Sequence, residues 1–203
     1  MRLQSVMFNG LFLFLGVILP GCSATAQRGE QPIDFGVLKE STKLEQHVFS
    51  NSQLGMSFRL PDCFAPFPEA QTQQAADSAT HGRPYILLNA LCKQPDGSRA
   101  AVTLIVEPIP DGVTPEKYAK VCIANVFPKP NATLEKDVHP EMLAGRTFQS
   151  YEVTITGAEV KLKQRYYTTT HSNAGITLIM MASSDSMMST LFDSVQNSYR
   201  GPS

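Results

Sequence analysis

The chain has 203 residues, 42% of them hydrophobic, with 17 Lys and Arg against 18 Asp and Glu for a formal charge of −1. This length and apolar content suit one globular domain with a proper core. The near balance of charge offers no case for nucleic-acid binding or for strong attraction to an anionic membrane.

The first 26 residues read as an export signal. Arg2 is the only charge, an apolar block runs from Leu11 to Leu19, and small residues follow. The block is too short and too interrupted, by Asn9, Gly10 and Gly16, for a spanning helix, which needs about 20 apolar residues. Leu19-Pro20-Gly21-Cys22 resembles a bacterial lipobox, in which a peptidase cuts before the cysteine and lipid is added to the new first residue. Lipid on Cys22 would hold the protein at a membrane, since each buried methylene contributes about 0.8 kcal/mol and two or more chains give stable attachment. A rival site lies in the same segment. Ala24-Thr25-Ala26 fits ordinary signal peptidase, and cleavage there would release a soluble protein starting at Gln27.

Residues 27–46 are polar and read as a flexible tether, so the domain is expected over 47–203. Met56, Phe58 and Leu60 alternate with Ser57 and Arg59 as in a half-buried strand, which Pro61 stops. Residues 64–83 form a long polar loop, the kind that is either mobile or functional. Tyr85 to Leu91 and Ala101 to Val106 form a hairpin around the turn signal Gln94-Pro95-Asp96-Gly97-Ser98. Thr114-Pro115-Glu116 opens a helix with a hydroxyl cap, Pro at the first helical position and an early acid; Tyr118, Val121, Cys122 and Asn125 are expected on one face. Asn131-Ala132-Thr133 is a formal glycosylation sequon, idle in most bacterial hosts.

A meander is expected next. Arg146 to Ile155 is a strand, and Val160 to Thr170 returns after the turn at Thr156-Gly157-Ala158-Glu159. Ile176 to Ala182 is a nearly continuous apolar strand, expected at the sheet centre with both faces covered. A final helix starts at residues 184–186 with Met188, Leu191, Phe192, Val195 and Tyr199 on one apolar face, and Gly201-Pro202 ends it.

Three cysteines, Cys63, Cys92 and Cys122, remain after either cleavage, enough for one bridge and one spare thiol in an oxidising compartment. Cys92 reads as a small core residue of its strand, so Cys63–Cys122 is the favoured pair. No C-x-x-C pair is present to support a thioredoxin-like or zinc-knuckle site.

The order of elements, with Leu54-Gly55-Met56-Ser57-Phe58-Arg59-Leu60-Pro61, Thr114-Pro115-Glu116-Lys117-Tyr118 and Ala144-Gly145-Arg146, resembles the PsbP-like/DcrB-like superfamily over residues 47–200. Met56 stands where the family usually has an aromatic residue, and Asp62-Cys63-Phe64 where it often has Gly-Trp. The resemblance implies an α+β fold, an antiparallel sheet sandwiched by helices, and brings no shared catalytic residues.

Chemistry is sparse. His47, His81, His139 and His171 have no metal-site spacing, and no nucleophile elbow, Walker loop or dinucleotide fingerprint occurs. Met180-Met181 and Met187-Met188 read as core filling rather than soft-metal ligands. Lys161, Lys163 and Arg165 line one strand face, either as a basic patch for an acidic partner or as a charged face that discourages aggregation. No metal, cofactor or nucleic acid is expected. The first expectation is a non-catalytic, lipid-anchored envelope protein that binds a protein partner or serves as an accessory subunit. The second is a soluble periplasmic small-ligand carrier, and a hydrolase comes last.

Overall fold

A computed structural model of the chain describes residues 32–67, 84–126, 131–143, 146–157 and 161–200. The leader with Cys22, most of the long loop with His81, the turn at 158–160 and Gly201-Pro202 lie outside the described residues.

Twelve elements follow one another: β1 (Thr42–Glu45), β2 (Val48–Asn51), β3 (Met56–Arg59), β4 (Ala65–Pro66), β5 (Tyr85–Lys93), β6 (Arg99–Pro108), α1 (Pro115–Val126), β7 (Ala132–Leu143), β8 (Arg146–Thr156), β9 (Lys161–His171), β10 (Ala174–Ala182) and α2 (Asp185–Ser198). The first three strands form a small sheet, and the other seven form a long one in the order β4-β5-β6-β10-β9-β8-β7. All pairings are antiparallel, so the fold is α+β in a single domain.

β10 is central, as its apolar run predicts, with Leu178 opposite Leu104 of β6 and Tyr167 of β9. Alternation then sorts its side chains. Ile176, Leu178, Met180 and Ala182 join Val102, Leu104, Val106 and Tyr167 in the main core. Met188, Leu191 and Val195 of α2 close that core, together with the stacked rings of Phe49 and Phe58 from the small sheet. The intervening Thr177 and Ile179 meet α1 residues instead: Thr177 contacts Tyr118 and Cys122, and Ile179 packs in a second cluster with Cys122, Ile123, Tyr151 and Tyr166. Ser184 caps α2, accepting the Met187 N–H at 3.3 Å. Gly175 makes room for α1, because a Cβ there would overlap the Tyr118 ring.

Four expectations change. First, the ordered domain begins upstream of His47: Ile33 and Leu38 are buried, and β1 lies within the stretch read as tether. The Asn51 amide donates to the Leu38 carbonyl at 3.0 Å, and Asn51 Oδ1 receives the Leu54 N–H at 2.8 Å, so one buried polar side chain ties this segment down. Second, β7 is a twelve-residue edge strand where none was expected. Register shifts between Leu134 and Lys136 and between Lys136 and His139 break its period of two, and its exposed edge carries charge and Pro140, as edge strands do. Third, α1 turns Tyr118, Ala119, Cys122 and Ile123 inward, leaving Val121 56% exposed and Asn125 in solvent.

The fourth change is the bridge. Cys63 pairs with Cys92, with Cα atoms 5.1 Å apart, and Cys122 is the free thiol. The pairing of Ala65 with Leu91 brings the β3–β4 connection alongside β5 and within reach of Cys92. Cys92 faces the main core whereas Cys122 lies beneath α1 in the second cluster, so Cys63 could not have joined Cys122 without crossing the sheet.

Candidate functional site

Lys161, Lys163 and Arg165 occupy alternate positions of β9 and so share one side of the sheet. They line a groove of about 300 Å³ at the start of α2, which also receives Glu135, Glu152 and Asp185. Lys163 is ion-paired with Asp185 in the first turn of α2, and this hydrogen bond raises its ammonium above the ordinary lysine range. Arg165 is cross-strand from Glu152 and donates to its carboxylate at 2.7 Å. The same guanidinium reaches the Tyr167 hydroxyl at 3.4 Å and lies 5.3 Å from the centre of the Phe192 ring. Tyr167 in turn donates to Glu141 at 3.3 Å, and Glu141 faces His139 Nε2 at 3.5 Å. Lys161 has no ion-pair partner among the described residues.

The strand face is therefore not a basic patch. Three cations meet three carboxylates drawn from β7, β8 and α2, and two of the cations are already paired. Such a surface suits a partner or ligand carrying both signs of charge, because a purely acidic one would face the resident carboxylates. Thr154, also in the groove wall, is buried with no partner for its hydroxyl among the described residues.

A second cleft, about 450 Å³, opens between the Gln94–Ser98 turn and the start of α2. The turn is built as its residues predict: Gly97 has φ +86°, and Asp96 accepts both the N–H and the hydroxyl of Ser98. Phe64, Met187 and Leu191 form apolar walls beside Cys63, while Ser98, Ser184 and Thr190 supply hydroxyls. A third, shallower recess of about 240 Å³ lies among Phe67, Leu91, Leu162 and Met181.

Beneath α1 the polar groups are sealed. The Tyr118 hydroxyl donates to Glu107 at 2.8 Å and lies 3.1 Å from Thr177 Oγ1. Tyr151 and Tyr166 stack with centroids 4.5 Å apart, and Tyr166 donates to Gln164 at 2.6 Å. Burial pushes the Cys122 thiol up to about 11 and Tyr166 up to about 12. Tyr118 and Tyr151 are raised as well, chiefly by desolvation. The sequence gives no hint of the Glu107–Tyr118–Thr177 link, whose members come from three elements. Among the described residues, no three His, Cys, Asp or Glu side chains converge as a metal site, and no helix is long and apolar enough to cross a membrane.

No protein-family model and no curated protein sequence matches the chain. Among solved structures, it is similar to LpqN of Mycobacterium tuberculosis, a protein described as involved in cell envelope biogenesis. The identity is 14% and the TM-score 0.48, over 72% of this chain and 83% of LpqN. A protein of Bacteroides thetaiotaomicron is also similar, at 8% identity and a TM-score of 0.43, over 80% of this chain and 48% of that one.

Proposed function

We propose that this chain is a non-catalytic, lipid-anchored protein of the bacterial envelope that binds a protein partner through the mixed-charge groove of β9. The observation that carries the reading is the groove itself, where six charged side chains from four elements converge on a rigid sheet. Two further features support the setting: the lipobox-like Leu19-Pro20-Gly21-Cys22, and the Cys63–Cys92 bridge, which fits an oxidising compartment. The spare thiol of Cys122 does not suit a nucleophile, since a catalytic cysteine needs a lowered pKa and burial raises this one. The placement of α1 and α2 against alternate side chains of β10 supports a PsbP-like sandwich.

Photo-crosslinking in intact envelopes tests the function. A crosslinker at position 161 is expected to give one discrete adduct, and the same group at position 121, on the outer side of α1, none. Equal labelling at both positions, or none at 161, would overturn the groove as the binding surface.

A soluble small-ligand carrier is the second reading. The 450 Å³ cleft favours it, being of small-molecule size with apolar walls and a few hydroxyls. The intact mass of the mature protein separates the two: Cys22 with acyl groups supports the anchored binder, and an unmodified Gln27 start supports the carrier.

A further inference from the structure

The chain enters its folded domain at one end of the long sheet, and the entry point is clamped. Asn173, in the turn between β9 and β10, receives the Ile33 N–H at 2.9 Å and donates to the Ile33 carbonyl at 3.3 Å. The Asn173 carbonyl also holds the Ile109 N–H at 3.0 Å, placing the segment after β6 at the same end. The Ile33 side chain is buried in the main core, so the clamp is reinforced by packing.

The clefts lie toward the other end. The 450 Å³ cleft is walled by the β5–β6 turn and the start of α2, the apolar recess by Leu91 and Met181, and the mixed-charge groove by the first half of β9. Strand β10 runs from the clamp toward these clefts, and its nine residues separate the two ends by about 27 Å.

Eleven positions separate Cys22 from Ile33. Fully extended, that many residues reach about 40 Å at most. A tether lasting until His47 would reach about 90 Å and leave the domain free to tumble. The early clamp removes that slack.

We infer that the Asn173 end of the sheet faces the membrane and that the cleft-bearing end points away from it, presented to partners beyond the lipid surface. This rests on the lipid-anchored reading of Cys22. It makes Asn173 a positioning residue that sets where the domain leaves its anchor.

Energy transfer to headgroup-labelled lipid in vesicles carrying the mature lipoprotein tests the orientation. Donor dyes are placed by Asp111→Cys, in the exposed turn near the clamp, or by Pro95→Cys, in the exposed β5–β6 turn. Cys63 and Cys92 are bridged, and the half-buried Cys122, whose thiol pKa is raised, is removed by Cys122→Ala in both variants so that maleimide couples only to the new thiol. Transfer from position 111 is expected to exceed that from position 95 several-fold, and inserting about ten Gly/Ser residues after Gln27 should shrink the ratio. Equal or reversed transfer in a protein whose mass shows acyl groups on Cys22 would overturn the orientation alone. A mass without lipid, and no association with vesicles, would overturn the anchor and the orientation with it.

Discussion

Arg165 links more of the candidate surface than any other side chain described. Its guanidinium joins Glu152, Tyr167 and Phe192, and its side chain is 25% exposed. Arg165→Ala would leave Glu152 and Glu141 facing each other's surroundings without their shared cation. The expected loss is about 2 kcal/mol in urea-induced unfolding, and Arg165→Lys should recover only part of it, because an ammonium cannot reproduce the planar fork. Gly175 acts through space rather than charge. Gly175→Ala drives a methyl into the Tyr118 ring, and about 1–3 kcal/mol of destabilisation is expected from the same unfolding measurement. Cys122 predicts a pH dependence. Its folded pKa of about 11 lies above the ordinary value of 9.0, so the folded state holds the proton more tightly. The resulting stabilisation is complete below about pH 9 and is lost as pH rises through about 11. Thermal melts should therefore fall across that window in the wild type and fall less steeply in Cys122→Ala.

Among the elements, β10 and α2 were the most legible in the sequence, and the reason is physical. A run from Ile176 to Ala182 has one polar residue, Thr177, to interrupt it, and Met188, Leu191 and Val195 repeat at helical spacing. β7 hid because its two register shifts scramble the alternation that marks a strand. The segment from Ile33 to Glu45 hid because its few apolar anchors are diluted by polar neighbours, and its tie to Asn173 spans 140 positions. The groove was half legible: the three cations on β9 were visible by alternation, but Glu135, Glu152 and Asp185 come from other elements. The bridge escaped for the same reason, since Cys92 could be recognised as buried without showing that Cys63 lies beside it. That bridge predicts an element-level effect. It fixes the chain covalently two residues before the short strand β4, and it closes a loop of 29 positions. Replacing Cys63 and Cys92 together by Ala should cost about 3–4 kcal/mol by loop entropy. Hydrogen exchange should then show protection lost first along the β4 edge of β5, with the β6–β10 pairing least affected.

On the scale of the whole molecule, the long sheet consists of two blocks, β4-β5-β6 and β7-β8-β9, whose strands are hydrogen-bonded to each other only through β10 among the described residues. Each block pairs locally, by neighbours close in sequence, whereas β10 joins β6 across the whole of α1, β7, β8 and β9. The main core also waits for this strand, because Ile176, Leu178 and Met180 are its floor and α2, its cover, comes later still. A chain ending at Asn173 should consequently give no cooperative melt, while one ending at Arg200 should melt as the complete protein does.

The same arrangement bears on synthesis. A protein that leaves the cytoplasm through a narrow channel must not close up beforehand, and many need a dedicated holding partner to stay open. Here β10 and the helix that covers it come after every other strand of the long sheet, so no closed seven-stranded sheet exists until those strands have all been made. If the chain is exported as proposed above, that strand order would hold it open for passage, and moving β10 to the front by circular permutation should lower the amount exported, as fractionation would read.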